Sequence, residues 1–296
     1  MRIPYYPGCT LKTQAQNFET STISALKELG VDAPELDRWN CCGTTHSLAV
    51  DNLMLHLAPV RNLIFLKNLG EKQVLTLCSM CYHTLSQANL LMRDDDEKRQ
   101  KINWHFEDIA EDGDYHGEVE VLHLFHLLRD IIGFDKIKEA VKQPLEGLKA
   151  ACYYGCLLLR PKEIAVDDPE MPQVMENLLR NLGAEAADFY FQNECCGAFQ
   201  TVGEPELVKK RTGEIVAHAR QQDADFLVVS CPLCFFNLDK RQLDLLDEKP
   251  GYQLMPILYI GQLLALALGV SSDVCNFELH HVDPRPLLTE KNLVSF

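Results

Sequence analysis

The sequence is 296 residues long, enough for two domains of roughly 150 residues each. Its apolar fraction of 47% and charged fraction of 24% are those of an ordinary globular protein. The formal net charge is −15 and no lysine–arginine cluster interrupts it, so we expect no nucleic-acid partner. The first residues lack the apolar run of a signal peptide, and the most apolar stretch, residues 256–270, is shorter than the roughly 20 residues that cross a bilayer. We therefore expect a cytoplasmic protein without direct membrane insertion.

In the first half, short strands alternate with helices. Apolar periodicity predicts strands over residues 3–6, 35–39 and 74–77, and helices over 21–29, 51–69 with a kink at Pro59, and 82–92. Residues 93–118 are polar and lack clear periodicity, so we expect an exposed excursion whose acidic run 94–97 is a solvated loop. Residues 121–133 predict a short strand that passes into a mostly buried helix.

The second half repeats this order. The predicted strands are 150–154, 186–191 and 226–229, the predicted helices are 169–182, 205–222 and one that ends near 247, and residues 255–269 form the closing strand and helix. Pro144 and Gly147 mark a linker at residues 142–148. We therefore expect a first domain over residues 1–143, a second over 148–275, and an irregular C-terminal tail over 276–296.

Each half is a β-α-β-α-β-α series, which predicts an α/β fold of two pseudo-symmetric Rossmann-like halves, each a small parallel sheet with flanking helices. Ten of the twelve cysteines form a motif that occurs once in each half: first Cys9, Cys41, Cys42, Cys78 and Cys81, then Cys156, Cys195, Cys196, Cys231 and Cys234. All of these groups follow predicted strands. Because the carboxyl ends of parallel strands share one sheet edge, we expect five sulfurs to converge in each half.

Several chemistries use clustered thiols. In a reducing cytosol many cysteines indicate metal binding or catalysis, and adjacent cysteines rarely bridge without strain, so disulfides are disfavoured. Zinc needs four thiolates, whereas each half offers five, and a C-x-x-C dithiol leaves the remaining motif cysteines unexplained. The compact C-x-x-C run of ferredoxins is absent, yet adjacent cysteines suit a centre with more than one iron.

The motifs resemble those of the cysteine-rich CCG domain family, and the two-copy chain is similar to the B-type subunit of the heterodisulfide reductases. The matching segments are Tyr6-Pro-Gly-Cys9, Asn40-Cys-Cys-Gly43, Cys78-Ser-Met-Cys81, Tyr154-Gly-Cys156, Glu194-Cys-Cys-Gly197, Cys231-Pro-Leu-Cys234 and Val282-Asp-Pro-Arg-Pro-Leu-Leu288. They cover almost the whole sequence. The resemblance implies that each five-cysteine set binds a noncubane [4Fe-4S] cluster, and that the two clusters face each other around a disulfide substrate.

The resemblance also implies a function and partners. The chain would be the catalytic subunit that reduces a thiol-cofactor disulfide. The substrate would be CoM-S-S-CoB or a bacterial analogue. The analogue is considered because Gly43-Thr-Thr-His46 differs from the proline-containing sequence of methanogen chains. A ferredoxin-like iron–sulfur protein, the C-type subunit of such complexes, and a flavin-containing A-type subunit would be its partners. His46 and His83 follow cysteine motifs and are candidate proton donors, or ordinary hydrogen-bonded histidines.

Two other functions stay open on the sequence. One is an electron-transfer subunit that passes electrons to a quinone or a flavoprotein without reducing a disulfide, because CCG domains also resemble parts of succinate, fumarate and glycolate oxidoreductases. The other is a zinc-stabilised interaction module without a redox role.

Overall fold

The chain forms two small parallel β-sheets with helices packed around them, which is the predicted α/β class. The structure is a computed structural model and describes residues 1–44, 52–111 and 113–294. Its strands are β1 (Gln73–Thr76), β2 (Glu120–His123), β3 (Lys149–Tyr153), β4 (Glu185–Ala186), β5 (Phe226–Val229) and β6 (Ile257–Tyr259). Its helices are α1 (Gly8–Leu11), α2 (Gln16–Glu28), α3 (Leu57–Asn68), α4 (Ser79–Asp94), α5 (Asp96–His105), α6 (Leu124–His126), α7 (Phe134–Ala140), α8 (Val174–Asn181), α9 (Pro205–Gln221), α10 (Pro232–Glu248), α11 (Ile260–Ala267) and α12 (Arg285–Glu290).

The two sheets share one pairing order. In the second sheet the order is β4-β3-β5-β6, with every pair parallel. In the first sheet β1 pairs with β2, and single parallel bridges join Tyr5 to Leu75 of β1 and Glu35 to Tyr5. The order in the first sheet is therefore Glu35, Tyr5, β1, β2, which matches β4-β3-β5-β6. The strands predicted over 3–6 and 35–39 are therefore present only as isolated bridges. Pro4 lacks the N–H that a continuous ladder needs at this point.

Some predicted boundaries were wrong. The strand predicted over 186–191 is shorter and is formed only by β4 at Glu185–Ala186. The helix predicted over 169–182 begins later, at Val174. The helix predicted from residue 51, which lies outside the described residues, begins at Leu57 after a 3-10 turn over Leu53–His56. Pro59 therefore lies in the first turn of α3, where its missing N–H costs no helical hydrogen bond, and the expected kink has no cause.

The polar segment 93–118 is more ordered than predicted. It contains α5, and the Asp95 side chain caps this helix by accepting from the Lys98 backbone N–H at 3.0 Å. Ile102 and Tyr115 are fully buried. The acidic run is thus a helix start and not a solvated loop, because carboxylates stabilise the first turn of a helix.

The tail was also predicted to be irregular, but it contains α12 and buries Leu288. Asp239 on α10 holds the start of the tail. Its fully buried carboxylate accepts from the backbone N–H groups of His281 and Val282, at 2.6 and 3.1 Å. These bonds fix residues 281–282 against the second half.

The two halves meet through α2 and α11, which pack closely. Every residue of α11 is buried. Tyr259, at the end of β6, stacks between Phe18 and Phe235. Its ring centroid is 4.5 Å from that of Phe18 and 4.3 Å from that of Phe235. Within the ranges that the structure describes, no helix is long and apolar enough to cross a membrane.

Candidate functional site

The C-x-x-C cysteines lie where strands pass into helices, as predicted. Cys78 is the N-cap residue of α4, two residues beyond β1, and Cys231 is the N-cap residue of α10, two residues beyond β5. Cys81 and Cys234 follow in the first turns of the same helices. A helix N-terminus carries partial positive charge, which favours the thiolate form that binds metals.

A glycine lies against one sulfur in each half. Gly8 and Gly155 precede Cys9 and Cys156 and adopt φ values of +73° and +71°. A Cβ atom would lie 2.6 Å from Cys81 Sγ at Gly8 and 3.1 Å from the corresponding sulfur, Cys234 Sγ, at Gly155. Only glycine combines this backbone conformation with such close approach. The two glycines therefore bring the turn before the first motif cysteine against the last one.

In each half, a buried tyrosine hydrogen-bonds to the backbone carbonyl that precedes the Cys-Cys pair. The Tyr6 hydroxyl donates to the Asn40 carbonyl at 2.8 Å, and the Tyr153 hydroxyl donates to the Glu194 carbonyl at 2.6 Å. Asn40 and Glu194 directly precede the two pairs. The motif quoted for the second half began at Tyr154 and so missed Tyr153. Aligning the two motifs on Gly8 and Gly155 would have found it.

The ten motif cysteines come together as two groups of five. The sulfurs of Cys9 and Cys41 are 3.8 Å apart, those of Cys42 and Cys81 are 3.6 Å apart, and those of Cys196 and Cys234 are 3.5 Å apart. Further thiol hydrogen bonds join the remaining members, Cys78 to Cys81, Cys156 to Cys195, and Cys231 to Cys234. The predicted convergence in each half is thus present.

These contacts favour thiolates at particular positions. Hydrogen bonds from Cys41 and Cys81 lower the pKa of the Cys42 thiol to about 3. A hydrogen bond from Cys156 is the main cause that lowers the pKa of the Cys195 thiol to about 6. The pKa of the donor Cys156 is raised in return. In each set, these hydrogen bonds therefore favour the thiolate form of one cysteine of the Cys-Cys pair.

The donor set of each half consists of thiols, the ligands of iron–sulfur clusters. Among the described residues, no three Cys, His, Asp or Glu side chains are arranged to hold one metal ion. Each half instead presents a row of thiols, and thiolates are the ligands that iron–sulfur clusters take. The outer sulfurs of Cys9, Cys41 and Cys195 are exposed, and the other motif sulfurs are buried or half-buried. The two remaining cysteines, Cys152 and Cys275, are buried outside these groups.

The two cysteine groups meet at the junction between the halves. Ser79, inside the first C-x-x-C, has its Oγ 3.2 Å from Oγ of Ser230, which precedes Cys231. The backbone N–H of Met80 also donates to the Cys231 sulfur. The two C-x-x-C loops are therefore in direct contact.

A cavity of about 780 Å³ opens beside Cys156. The first half contributes His83 and Gln87 to its wall, and the second half contributes Cys156 with its neighbours. His83 is buried, its ring hydrogen-bonds to the backbone of Arg160, and its Nδ1 has no partner among the described residues. Burial lowers its pKa to about 4, so the ring is neutral at neutral pH. His46, the other candidate histidine, lies outside the described residues.

A family model described as a cysteine-rich domain, CCG, matches residues 3–86 and 150–239. The chain belongs to the CCG family. The two matched segments contain all ten motif cysteines of this CCG protein, five in each. The family assignment inferred from the motifs is confirmed.

Curated relatives cover nearly the full length of this CCG chain. The 8-methylmenaquinol:fumarate reductase membrane anchor subunit of Wolinella succinogenes is 30% identical over 96% of this chain and 98% of its own. The B-type subunit of the ferredoxin/F420H2-dependent CoB-CoM heterodisulfide reductase of Methanosarcina acetivorans is 31% identical, covering 94% and 92%. A protein of Archaeoglobus profundus that is named as similar to the heterodisulfide reductase B-type subunit is 32% identical, covering 88% and 89%. The relatives thus include both heterodisulfide reductase and fumarate reductase subunits.

A solved structure supports the fold. A hypothetical protein from Helicobacter pylori matches 94% of this chain with a TM-score of 0.71, at 13% identity. The CCG chain spans 51% of that longer protein.

Proposed function

We propose that this chain is the disulfide-reducing subunit of a heterodisulfide reductase-type complex, with two noncubane [4Fe-4S] clusters. Cys9, Cys41, Cys42, Cys78 and Cys81 would hold the first, and Cys156, Cys195, Cys196, Cys231 and Cys234 the second. The two pseudo-symmetric Rossmann-like halves then correspond to domains 1–143 and 148–275, followed by the tail 276–296. A cytoplasmic location remains an expectation from the sequence.

The observation that carries this proposal is the cavity beside Cys156. Cys156 of the second set lies in its wall, and both halves contribute to that wall, the first through His83 and Gln87. Ligand sites are typically cavities of about 300–1,000 Å³, and this one is of that size. A subunit that only passes electrons to a protein partner needs no small-molecule cavity beside its sulfurs.

The residues of the chain then have separate roles. When bound, the two clusters would supply one electron each, the pair that reduction of a disulfide requires. Arg160 and Lys162 at the cavity wall are accompanied by Asp168 and Glu170, so charged groups of both signs line the cavity. His83 is neutral there, so it lines the cavity without adding charge. The buried C-x-x-C loops keep water from the inner sulfurs.

A second function is favoured by one specific finding. The Wolinella relative carries the name of a fumarate reductase subunit, with 30% identity over almost all of both chains. On this alternative, the chain passes electrons to a quinone or flavoprotein partner and binds no disulfide. The disulfide-reducing function would instead need a ferredoxin-like C-type subunit and a flavin-containing A-type subunit.

Reoxidation of the reduced, iron-loaded chain separates the two functions. We expect CoM-S-S-CoB or another small thiol disulfide to restore the oxidised absorbance of the clusters, and a water-soluble menaquinone analogue to do so much more slowly. Rapid reoxidation by the quinone alone would support the electron-transfer alternative.

A cavity-filling variant makes this test specific. Gln87→Trp places a large ring at the cavity wall and should slow reoxidation by disulfides. Gln100→Trp is the matched control, because Gln100 lies on α5 and lines a different pocket. Equal reoxidation rates in both variants would show that the cavity is not the disulfide site.

A further inference from the structure

The two cysteine sets differ at one buried position that occurs in both. Three residues after the last motif cysteine, the first half has Thr84 and the second half has Asn237. Both side chains are buried, and Asn237 is fully so. Both lie near the inner cysteine of the Cys-Cys pair, Cys42 or Cys196. Equivalent positions in the two halves therefore carry different hydrogen-bonding groups, a hydroxyl in the first half and an amide in the second.

In the second half the group is an amide directed at sulfur. Asn237 Nδ2 lies 3.6 Å from Cys196 Sγ and 3.4 Å from the carbonyl oxygen of the same cysteine. Its Oδ1 accepts from the Thr201 hydroxyl at 2.8 Å. The amide nitrogen, with its two protons, therefore faces Cys196.

This orientation is fixed by a third side chain. Arg241 Nη2 donates to Thr201 at both its carbonyl oxygen, at 2.7 Å, and its Oγ1, at 3.2 Å. Because Oγ1 accepts from the guanidinium, its own proton is free to point to Asn237 Oδ1. A flipped amide would turn its acceptor oxygen toward two acceptors, the Cys196 carbonyl oxygen and the Cys196 sulfur.

The first half has a weaker arrangement. The Thr84 hydroxyl lies within hydrogen-bond reach of Cys42, but it also donates to the Met80 carbonyl at 2.9 Å. A hydroxyl has a single proton, so the carbonyl and the sulfur compete for it. Cys196 therefore has an amide donor that is fixed in place, whereas Cys42 shares one hydroxyl proton.

Donors to cluster-ligating sulfur stabilise the more negative, reduced form, and hydrogen bonding to sulfur is one of the factors that set the potential. We infer that Asn237 is a positioning residue that raises the reduction potential of the second cluster, so that electrons collect in the half whose Cys156 borders the cavity. This inference rests on the proposed binding of two clusters. It does not depend on whether the final electron acceptor is a disulfide or a quinone.

The test is a redox titration of the iron-loaded, full-length chain, followed by electron paramagnetic resonance. A chain with Cys42→Ala and Cys78→Ala, loaded only in the second half, assigns the second-set signal. Asn237→Leu retains the side-chain volume but removes the donor. It should lower the midpoint of that signal, so that the ratio of reduced to oxidised cluster at the wild-type midpoint falls about tenfold, which is 59 mV for one electron.

Further variants control for structural damage. Asn237→Thr installs the group of the first half and should give a smaller shift in the same direction. Thr201→Val removes the hydroxyl that orients the amide, while Arg241 keeps its bond to the Thr201 carbonyl, and should also lower the midpoint if Asn237→Leu does not fold. Thr84→Val should leave the second-set signal unchanged.

Two results would overturn the inference. One is a second-set midpoint that is unchanged or raised in Asn237→Leu, or in Thr201→Val where Asn237→Leu does not fold, at normal iron content. The other is absence of iron from the wild-type chain, which would overturn the inference together with the proposed function. The iron content of the wild-type chain distinguishes these two failures.

Discussion

The first and second cysteine sets share a backbone frame but not their immediate surroundings. In both, a glycine lies against the last sulfur and a tyrosine hydroxyl binds the carbonyl that precedes the Cys-Cys pair. Of the two sets, the second alone has a cysteine in the described wall of the 780 Å³ cavity, namely Cys156. The second set also has Asn237 where the first has Thr84. The repeated residues therefore assemble the sulfurs, and the residues that differ give each set its own chemistry.

The largest effect should come from the helix contact that both sets depend on. A Cβ at Gly261 on α11 would overlap with Thr22 Oγ1 on α2. That hydroxyl donates to the Phe18 carbonyl at 2.7 Å and cannot rotate away without losing this bond. Gly261→Ala should therefore destabilise the chain by about 3 kcal/mol and affect both sets, as measured by denaturant unfolding. Adding Thr22→Ala should restore part of the loss, and an unchanged unfolding midpoint in Gly261→Ala would contradict the packing.

Substitutions at the two cysteine-facing glycines should separate the sets. Gly8→Ala places a methyl group 2.6 Å from Cys81 Sγ and should remove the iron of the first set, measured as iron per chain. Gly155→Ala meets Cys234 Sγ at 3.1 Å, which a small shift can relieve, so its loss of iron should be smaller. Gly30 has the same φ of +73° with open space around it. Gly30→Ala thus carries only the backbone strain, about 1–3 kcal/mol, and should keep all its iron.

The anchored tail distinguishes the second half and should make stability depend on pH. Burial raises the pKa of Asp239 to about 7 from 3.8, so the folded protein binds a proton there that the unfolded chain releases. The stability from this group is fully present below pH 3.8 and is lost as pH rises through 7, with a loss of about 2.5 kcal/mol between pH 5 and 8. Asp239→Asn should remove this dependence. Thermal unfolding of both proteins between pH 5 and 8 tests it, and parallel pH profiles would contradict it.

The smallest effects should come from the two tyrosine hydroxyls. Tyr6→Phe and Tyr153→Phe each remove one hydrogen bond to a carbonyl, worth about 1 kcal/mol. The Asn40 carbonyl still accepts from Asn62 Nδ2 at 3.0 Å, so Tyr6→Phe should cost less than Tyr153→Phe. Unfolding free energies of the two variants give the order, and a larger cost for Tyr6→Phe would contradict it.

The sequence predicted the frame of the site because the frame consists of strong local signals. Buried strand β5 is a continuous apolar run, and its predicted and observed bounds agree. Cys78 and Cys231 were placed correctly because each separates an apolar strand from the start of a helix, and both patterns are visible in the sequence. By contrast, helix α5 was missed because its few apolar residues give no periodic pattern.

The residues that distinguish the two sets could not be predicted in the same way. Asn237 and Thr201 are ordinary polar residues, and only the fold shows that they meet at Cys196. The cavity depends on how His83 from one half approaches Cys156 from the other, which no local pattern encodes. Aligning the two motifs residue by residue would have marked Thr84 and Asn237 as a difference, but not what either contacts.

The most direct test of the central claim is iron, acid-labile sulfide and zinc per chain in protein prepared without oxygen. We predict about eight irons with matching sulfide, and about four in each of two variants, Cys42→Ala with Cys81→Ala and Cys196→Ala with Cys234→Ala. Zinc without sulfide, or loss of all iron from either variant, would contradict two independent clusters, one in each half.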